Sequence, residues 1–586
     1  MRLQGTLAVC TAALLGAVSW SVPERFGPPP AADVSRGSEE AFVRDLYPRE
    51  LLPGQVILRW TRPHALVRFE RVTPGPAELE VRVVGQRPEV AVSANGVVVA
   101  RLLRGQRGGR FPVQVRQGGE VLVELSGEGF VQGGRELGVQ LQRVALHCAE
   151  PRGLTLSWLP AVAAATLAAG ALAAGAGPWP ALAWGAGGTA VGVAALWPHG
   201  LLHSGYAAVW VGLQVAGSLV AGGLGAWWRR RRPGSGAWAW AACTVAWWVL
   251  VGAGTSPLLV MSDAVFHANQ LRLIAAGELF PVSVSQHAEP FRIPYGPLFY
   301  LLLAPLYRAG LDPVALVQWG AALSCLAGCC WLFGGLAGKG AAQAGLAVLL
   351  LQLVPGWFDV LSHGNLSNAF AQAMTLGFAA WGITGGHPAV GALTLLGASL
   401  GHLSAAIVVA GVAVGLVLWS PPERRGPLLR GIVPGLALSL LYYLGFWSLV
   451  TDQLPRLLEG GGQGRGASQG AGGALQLQLS GVLQGWGWPA VALALFKLRR
   501  GALRDPLWRA FWAWGAILAL TAVFSPLEVR YRYALTLPLA VAAAGGLRRL
   551  WETGRAGKLA GLGLCAAQVH LAVANLADAL LWRYRP

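Results

Sequence analysis

Charge is the scarcest commodity in this sequence. Only 12% of its 586 residues are Asp, Glu, Lys or Arg, against about 25% in an average soluble domain, and that shortage excludes an ordinary water-soluble globule. Lysine occurs only at 339, 497 and 558, and no acidic residue stands between Glu150 and Asp263. The seven cysteines are Cys10, Cys148, Cys243, Cys325, Cys329, Cys330 and Cys565. Only Cys148 falls in the polar part of the chain, so an internal disulfide there is excluded. The chain has no Walker A loop, no H-E-x-x-H zinc motif and no G-x-S-x-G nucleophile elbow, so none of these local signatures supplies a catalytic reading.

What is present is apolar. Hydrophobic residues make up 54% of the chain and the mean hydropathy is +0.50. The formal charge of +18 comes from 45 basic and 27 acidic residues. The basic residues are nearly all Arg, many of them in short clusters beside apolar runs: Arg229 to Arg232, Arg424/Arg425, Arg499/Arg500 and Arg548/Arg549. Cytoplasmic loops of membrane proteins carry such clusters, so the charge is assigned to topology and not to nucleic acid.

Residues 1–22 read as a signal anchor or signal peptide, with residues 3–21 apolar behind Arg2. From 23 to 152 charged residues become common. Alternating runs such as Glu78-Leu79-Glu80-Val81-Arg82-Val83 and Val121-Leu122-Val123-Glu124-Leu125 predict an extracytoplasmic all-β sandwich or jelly roll. Within it, Val90 to Val99 reads as a hairpin whose Asn95-Gly96 supplies the positive φ angles of a tight turn. This short element resembles that of galactose-binding-like jelly rolls.

From 153 to 586 the chain reads as a mainly α, polytopic transmembrane bundle of about 13–16 spans, each crossing about 30 Å of hydrocarbon. The spans are expected near 153–175, 178–197, 205–227, 237–257, 295–310, 313–336, 341–357, 364–384, 388–420 with a break, 432–450, 475–496, 508–524, 533–547 and 559–581. The Gly-rich stretch 451–474 reads as an external loop. With Arg229 to Arg232 cytoplasmic, the loop 258–294 is extracytoplasmic. Counting every later segment as a full crossing then puts Lys339 outside and Asp359 inside, which predicts a half-helix or a re-entrant piece among them.

Asp263 ends the long stretch without acids, in Met261-Ser262-Asp263-Ala264-Val265-Phe266-His267-Ala268-Asn269-Gln270. An ionisable group at a membrane helix end marks a functional site unless it caps the next helix. In a helix, Asp263, His267 and Gln270 share a face. Phe266, Leu271, Leu273 and Ile274 are then expected to lie on the bilayer.

This segment, followed by Gly277-Glu278-Leu279-Phe280-Pro281 and Pro294-Tyr295-Gly296-Pro297-Leu298-Phe299-Tyr300, resembles the first external loop of the GT-C class of glycosyltransferases. That class includes the protein mannosyltransferases and the aminoarabinose transferases. Weaker resemblances lie at His363-Gly364-Asn365, Gly401-His402-Leu403-Ser404 and Arg530-Tyr531-Arg532-Tyr533 before Pro538. The last of these is similar to the basic and aromatic loop before a late helix of the class.

The resemblance implies transfer of a sugar from a polyprenyl-phosphate donor to an envelope glycan, lipid or protein acceptor, at the outer face of a bacterial inner membrane. It implies Asp263 as the catalytic base, with His267, Asn269, Glu289, Arg292, Tyr295, His363, Asn365, His402, Arg530 and Arg532 around the substrate. Arg292, Arg530 and Arg532 suit the departing phosphate. The resemblance makes no cofactor certain, and a divalent metal is left open. Two other classes fit the composition: a transporter or flippase of a lipid-linked or anionic substrate, and a non-enzymatic envelope assembly protein anchored by its helices.

Overall fold

The computed structural model describes residues 2–26, 29–34, 42–52, 56–84, 89–132, 134–148, 158–196, 201–256, 263–284, 292–448, 451–452, 483–498, 504–524, 530–577 and 579. The chain forms two compact units. The first is Met1–Arg231 with Ser256–Leu258 and Ala577–Pro586; the second is Arg232–Thr255 with Leu259–Leu576.

In the first unit, helix α1 (Arg2–Phe26) packs on α2 (Trp158–Ala173) and α3 (Pro178–Leu196), and α2 packs on α4 (Gly205–Arg231). Small residues set their close approach: a Cβ at Gly16 would lie 2.7 Å from Ala164, and one at Gly185 would lie 2.8 Å from Ala12. Among the described residues, eleven strands come between α1 and α2. They are β1 (Ala31–Asp33), β2 (Val43–Leu52), β3 (Val56–Phe69), β4 (Gly75–Val83), β5 (Val90–Ala94), β6 (Val97–Leu102), β7 (Gly108–Val115), β8 (Val121–Gly127), β9 (Phe130–Gln132), β10 (Arg135–Leu137) and β11 (Gln140–Cys148).

Nine strands make one antiparallel sheet in the order β6-β5-β8-β3-β11-β4-β7, with β1 on β11 and β2 on β3, while β9 and β10 pair separately. The alternation read in β4 and β8 holds: Leu79, Val81, Val121, Val123 and Leu125 are fully buried. The expected hairpin is present, with Asn95 at φ 53° and Gly96 at φ 85°, both positive as a type I′ turn demands. On the outer side of β4, burial pushes the Glu80 carboxyl up, but His147, Arg82 and Arg143 outweigh it and hold the group below its ordinary value. All seven cysteines are free thiols.

The β-rich part is not separately compact. One apolar core runs from Val67, Phe69, Val72 and Leu146 into Trp20, Ala163, Val193, Leu196, Leu202 and Trp210 of the helical part. Arg71 pins this seat in a left-handed conformation, φ 55°, donating to the carbonyls of Leu202 at 3.0 Å and Ser204 at 2.9 Å. The boundary expected at 152 therefore falls inside a unit whose compact edge is at Arg231.

The second unit begins with α5 (Gly236–Ala246), continued by a π-helical turn to Ala253, then α6 (Ala264–Ala275) and a short ribbon of β12 (Val282–Val284) and β13 (Arg292–Pro294). After these come α7 (Leu298–Arg308), α8 (Pro313–Ala337), α9 (Ala341–Leu353), α10 (Pro355–Ser362), α11 (Leu366–Thr384), α12 (Pro388–Gly401), α13 (Leu403–Trp419) and α14 (Pro422–Leu444). The last four helices are α15 (Trp488–Leu498), α16 (Pro506–Phe524), α17 (Arg530–Glu552) and α18 (Arg555–Ala577).

Among the described residues of both units, six helices are long and apolar enough to cross a membrane, or seven if the pair α9 and α10, bent by 53°, is one span. That is the requirement for a membrane protein, met by fewer long helices than the roughly fifteen expected on span length. Residues 453–482, with most of the Gly-rich stretch 451–474, lie outside the described residues.

The span expected at 295–310 is not a crossing. Helix α7 has 11 residues, about 16 Å at 1.5 Å per residue. It folds back on α8, so that a Cβ at Gly320 would lie 3.0 Å from Leu303. Helices α8 and α11 then run in the same direction, Cys325 bonding the Ala369 carbonyl and Gly335 abutting Ala380.

Removing this crossing corrects the topology. A Cβ at Gly338 would lie 3.6 Å from the Arg232 guanidinium, and Lys339 pairs with Asp505 at 2.7 Å. Gly364, five residues after Asp359, abuts Asp263. Lys339 is thus at the Arg232 end of the unit and the Asp359 segment leads to the Asp263 end, the reverse of the sequence count.

Two helix breaks meet at Gln568. Its amide nitrogen donates to the carbonyls of Leu353, where α9 stops before Pro355, and Trp486; its oxygen accepts from Ala490 N–H. Gly487, at φ +81°, leaves it room: a Cβ there would lie 2.5 Å from Gln568. Gln568→Leu should leave three backbone groups unpaired, each costing about 1–3 kcal/mol. Thermal unfolding in detergent should show a lowered midpoint, and an unchanged midpoint would mean the bonds contribute nothing.

Candidate functional site

The Asp263 end brings together loops before α6, α7, α11 and α13, which carry Asp263, Tyr295, Asn365 and His402. Asp263 is exposed and occupies the N-cap position of α6, yet its side chain makes no capping bond to that helix. The capping role considered from the sequence is therefore absent from this geometry.

Against it lies the end of α10. Asn365 N–H donates to Val360 O at 3.1 Å and Gly364 N–H to Leu361 O at 3.0 Å. Together they form a Schellman turn, which calls for a left-handed residue at the glycine position. Gly364 supplies it at φ +76°, and a Cβ there would lie 3.1 Å from the Asp263 nitrogen and 3.2 Å from its Cβ.

His267 joins the pieces. It is 1% exposed; Nδ1 lies 2.7 Å from the Tyr300 hydroxyl, and Nε2 accepts from Leu366 N–H at 3.3 Å. One ring thus ties α6 to the first turns of α7 and α11. Burial drives its pKa down from 6.5 to about 3, against an opposing hydrogen bond with the Gly364 backbone. The imidazole is neutral near pH 7 and acts as a post between helices.

The face expected for Asp263, His267 and Gln270 is divided: Asp263 is exposed, while His267 and Gln270 are buried. The cause is the apolar stripe Ala264, His267, Ala268, Leu271 and Ile274, spaced i, i+3, i+4, i+7 and i+10. Leu271 and Ile274, expected on the bilayer, are 0% and 2% exposed because α6 packs on α7 and α8. Val265 and Leu273 are the exposed apolar residues of α6.

Tyr295 is half-buried, its ring 5.2 Å from Phe266, 6.2 Å from His267 and 6.0 Å from His402. His402 breaks α12 from α13 and caps the latter, its Nδ1 accepting from Ser404 N–H at 3.2 Å. Exposed His363 is oriented by its Nδ1, 2.7 Å from the Asp359 carbonyl. Asn365 occupies the N-cap of α11 without a side-chain capping bond. Exposed Asn269 accepts from Arg272 at 3.2 Å.

Arg292 belongs to β13, opposite Val284. Arg530 and Arg532 are the first turn of α17 itself and not a loop before it. Glu289 lies outside the described residues. Among the described residues no group of three or more His, Cys, Asp or Glu is placed to hold a metal ion.

Two participants were missed. Tyr300 was within the quoted Pro-Tyr-Gly-Pro segment, but nothing marked it as the partner of His267. Tyr442, at the end of α14, donates to the carbonyls of Leu279 at 3.1 Å and Tyr295 at 2.9 Å, closing the ribbon loop over the same end. No local pattern signals that contact.

A buried histidine with a depressed folded pKa contributes stability above its unfolded value, and that contribution is lost as pH falls toward the folded one. Stability should fall from pH 6.5 toward pH 3 through His267, and His267→Asn should flatten this slope in denaturation curves. An equal slope in both proteins would remove His267 as its source.

No family model matches the chain, and no curated protein matches it in sequence.

Proposed function

We propose that this chain is a membrane glycosyltransferase of GT-C type, transferring a sugar from a polyprenyl-phosphate donor to an envelope acceptor at the Asp263 end of its second unit. The observation that carries the reading is the exposed Asp263 carboxylate, without a capping bond, held against the Gly364 turn by the His267–Tyr300 post.

The charge distribution supports an outward orientation. Arg232, Lys339, Asp505 and Arg548 lie together at the opposite end, where a Cβ at Gly340 would be 4.0 Å from Arg548, and Arg424 binds the Gly382 carbonyl at 3.2 Å. The basic end is cytoplasmic by the positive-inside rule, which turns Asp263 toward the outer face of the inner membrane.

In the reaction, Asp263 takes the proton of the acceptor hydroxyl as its oxygen bonds to the anomeric carbon. The bond from that carbon to the phosphate oxygen breaks, and its electron pair leaves with the polyprenyl phosphate. A direct displacement of this kind inverts the anomeric configuration. Arg292, Arg530 and Arg532 are the cations assigned to the departing phosphate. His267 takes no proton, being committed at both ring nitrogens.

The test is transfer of labelled sugar from polyprenyl-phosphate donors to envelope acceptors in membranes with matched wild-type or Asp263→Asn protein. Loss of a general base should lower transfer by about a hundredfold or more. Equal transfer by both proteins would end the catalytic assignment of Asp263. Absence of transfer by wild type with every donor would favour a transport or assembly role.

A further inference from the structure

We propose that the Asn95–Gly96 hairpin tip of the first unit is a membrane-docking surface, with Val97 and Val98 in the lipid headgroup layer and Arg116 directed to lipid phosphate. The proposal rests on the reading of α1 to α4 as membrane helices.

The register of the sheet fixes which end carries the tip. Phe69 pairs with Val121, and Val72 N–H donates to Gly119 O at 2.9 Å, so the turns after β3 and before β8 lie side by side. Asn95 N–H donates to Leu122 O at 2.7 Å, and Asn95 Oδ1 accepts from Leu122 N–H at 3.0 Å. The tip therefore belongs to the same end.

That end is seated on the helices. Arg71 binds the Leu202 and Ser204 carbonyls, and Glu70 N–H donates to His203 O at 2.7 Å. Helix α4 starts at Gly205 as a candidate span, which puts its first turn at a membrane interface. From β3 across β8 and β5 to β6 is three strand spacings, roughly 14 Å, so the tip extends sideways along this interface.

The surface of the tip suits lipid. Val97 is 66% and Val98 55% exposed, on an edge strand where water would meet bare valine. Arg116 is exposed and donates to the Asn95 carbonyl at 2.9 Å, which fixes its guanidinium beside the tip. At the tip itself Arg116 carries the charge complementary to anionic headgroups. Leu103 is equally bare at 55%, but it is at the far end of β6, where Leu102 pairs with Val90.

The test places a fluorescent amino acid at position 97, 103 or 220 of the full chain in vesicles of phosphatidylcholine and phosphatidylglycerol with brominated acyl chains. Bromine should quench positions 97 and 220 severalfold more than 103, and Arg116→Gln should weaken the quench at 97. Quenching at 220 but not at 97 overturns the docking surface; no quenching at 220 overturns the membrane reading beneath it. If the position 97 protein does not fold, position 98 carries the same expectation. An Arg116→Gln protein with undiminished quenching at 97 removes that arginine from the surface.

Discussion

A peptide group in hydrocarbon has no water to bond, so each interruption of a membrane helix needs a partner from within the protein. This constraint orders the second unit. The stop between α9 and α10 is met by Gln568 on the Leu353 carbonyl, and the break at His402 by its own ring on Ser404 N–H. At the start of α11, Leu366 N–H is shared between the Gly364 carbonyl at 2.8 Å and His267 Nε2 at 3.3 Å. Two of these three interruptions open toward the Asp263 end, and the polar side chains that close them hold the loops where chemistry is proposed.

The same constraint explains why that end combines rigid and exposed groups. His267, Tyr300 and Gly364 are fixed by burial and by a left-handed turn. Asp263 and His363 remain at the surface. A base that must meet an acceptor hydroxyl needs both properties, access to the substrate and a position set by neighbours that do not move. The post is neutral near pH 7, so it places no charge in the apolar layer between α6, α7 and α11.

Much of the fold was legible because it follows local rules. Alternation gave the strands around Glu80 and Val123, Asn95-Gly96 gave the hairpin, and the shift to long apolar runs gave the helical part. The break within 388–420 was expected and falls at His402. The direction of α7 was not legible, because an 11-residue apolar helix folded on its neighbour has the composition of a short span. That one segment near Lys339 and Asp359 falls short of a full crossing was expected from the charge pattern, but which segment it is was not. At the site, Asp263 stood out as the first acid after a long gap, but His267 was read by its polarity. Its place in the Ala264, Ala268, Leu271 stripe already marked it as buried. Gly364 was read as the start of the 364–384 span, although a glycine after an apolar helix is a stop signal in its own right.

The most direct measurement is a structure of the full chain in lipid with a non-transferable phosphonate analogue of a polyprenyl-phosphate sugar. The account expects the sugar's anomeric carbon beside the Asp263 carboxylate, between α6 and the Gly364 turn, with the phosphonate toward Arg292 and the start of α17. An analogue bound at any other place, with Asp263 facing solvent alone, would contradict it.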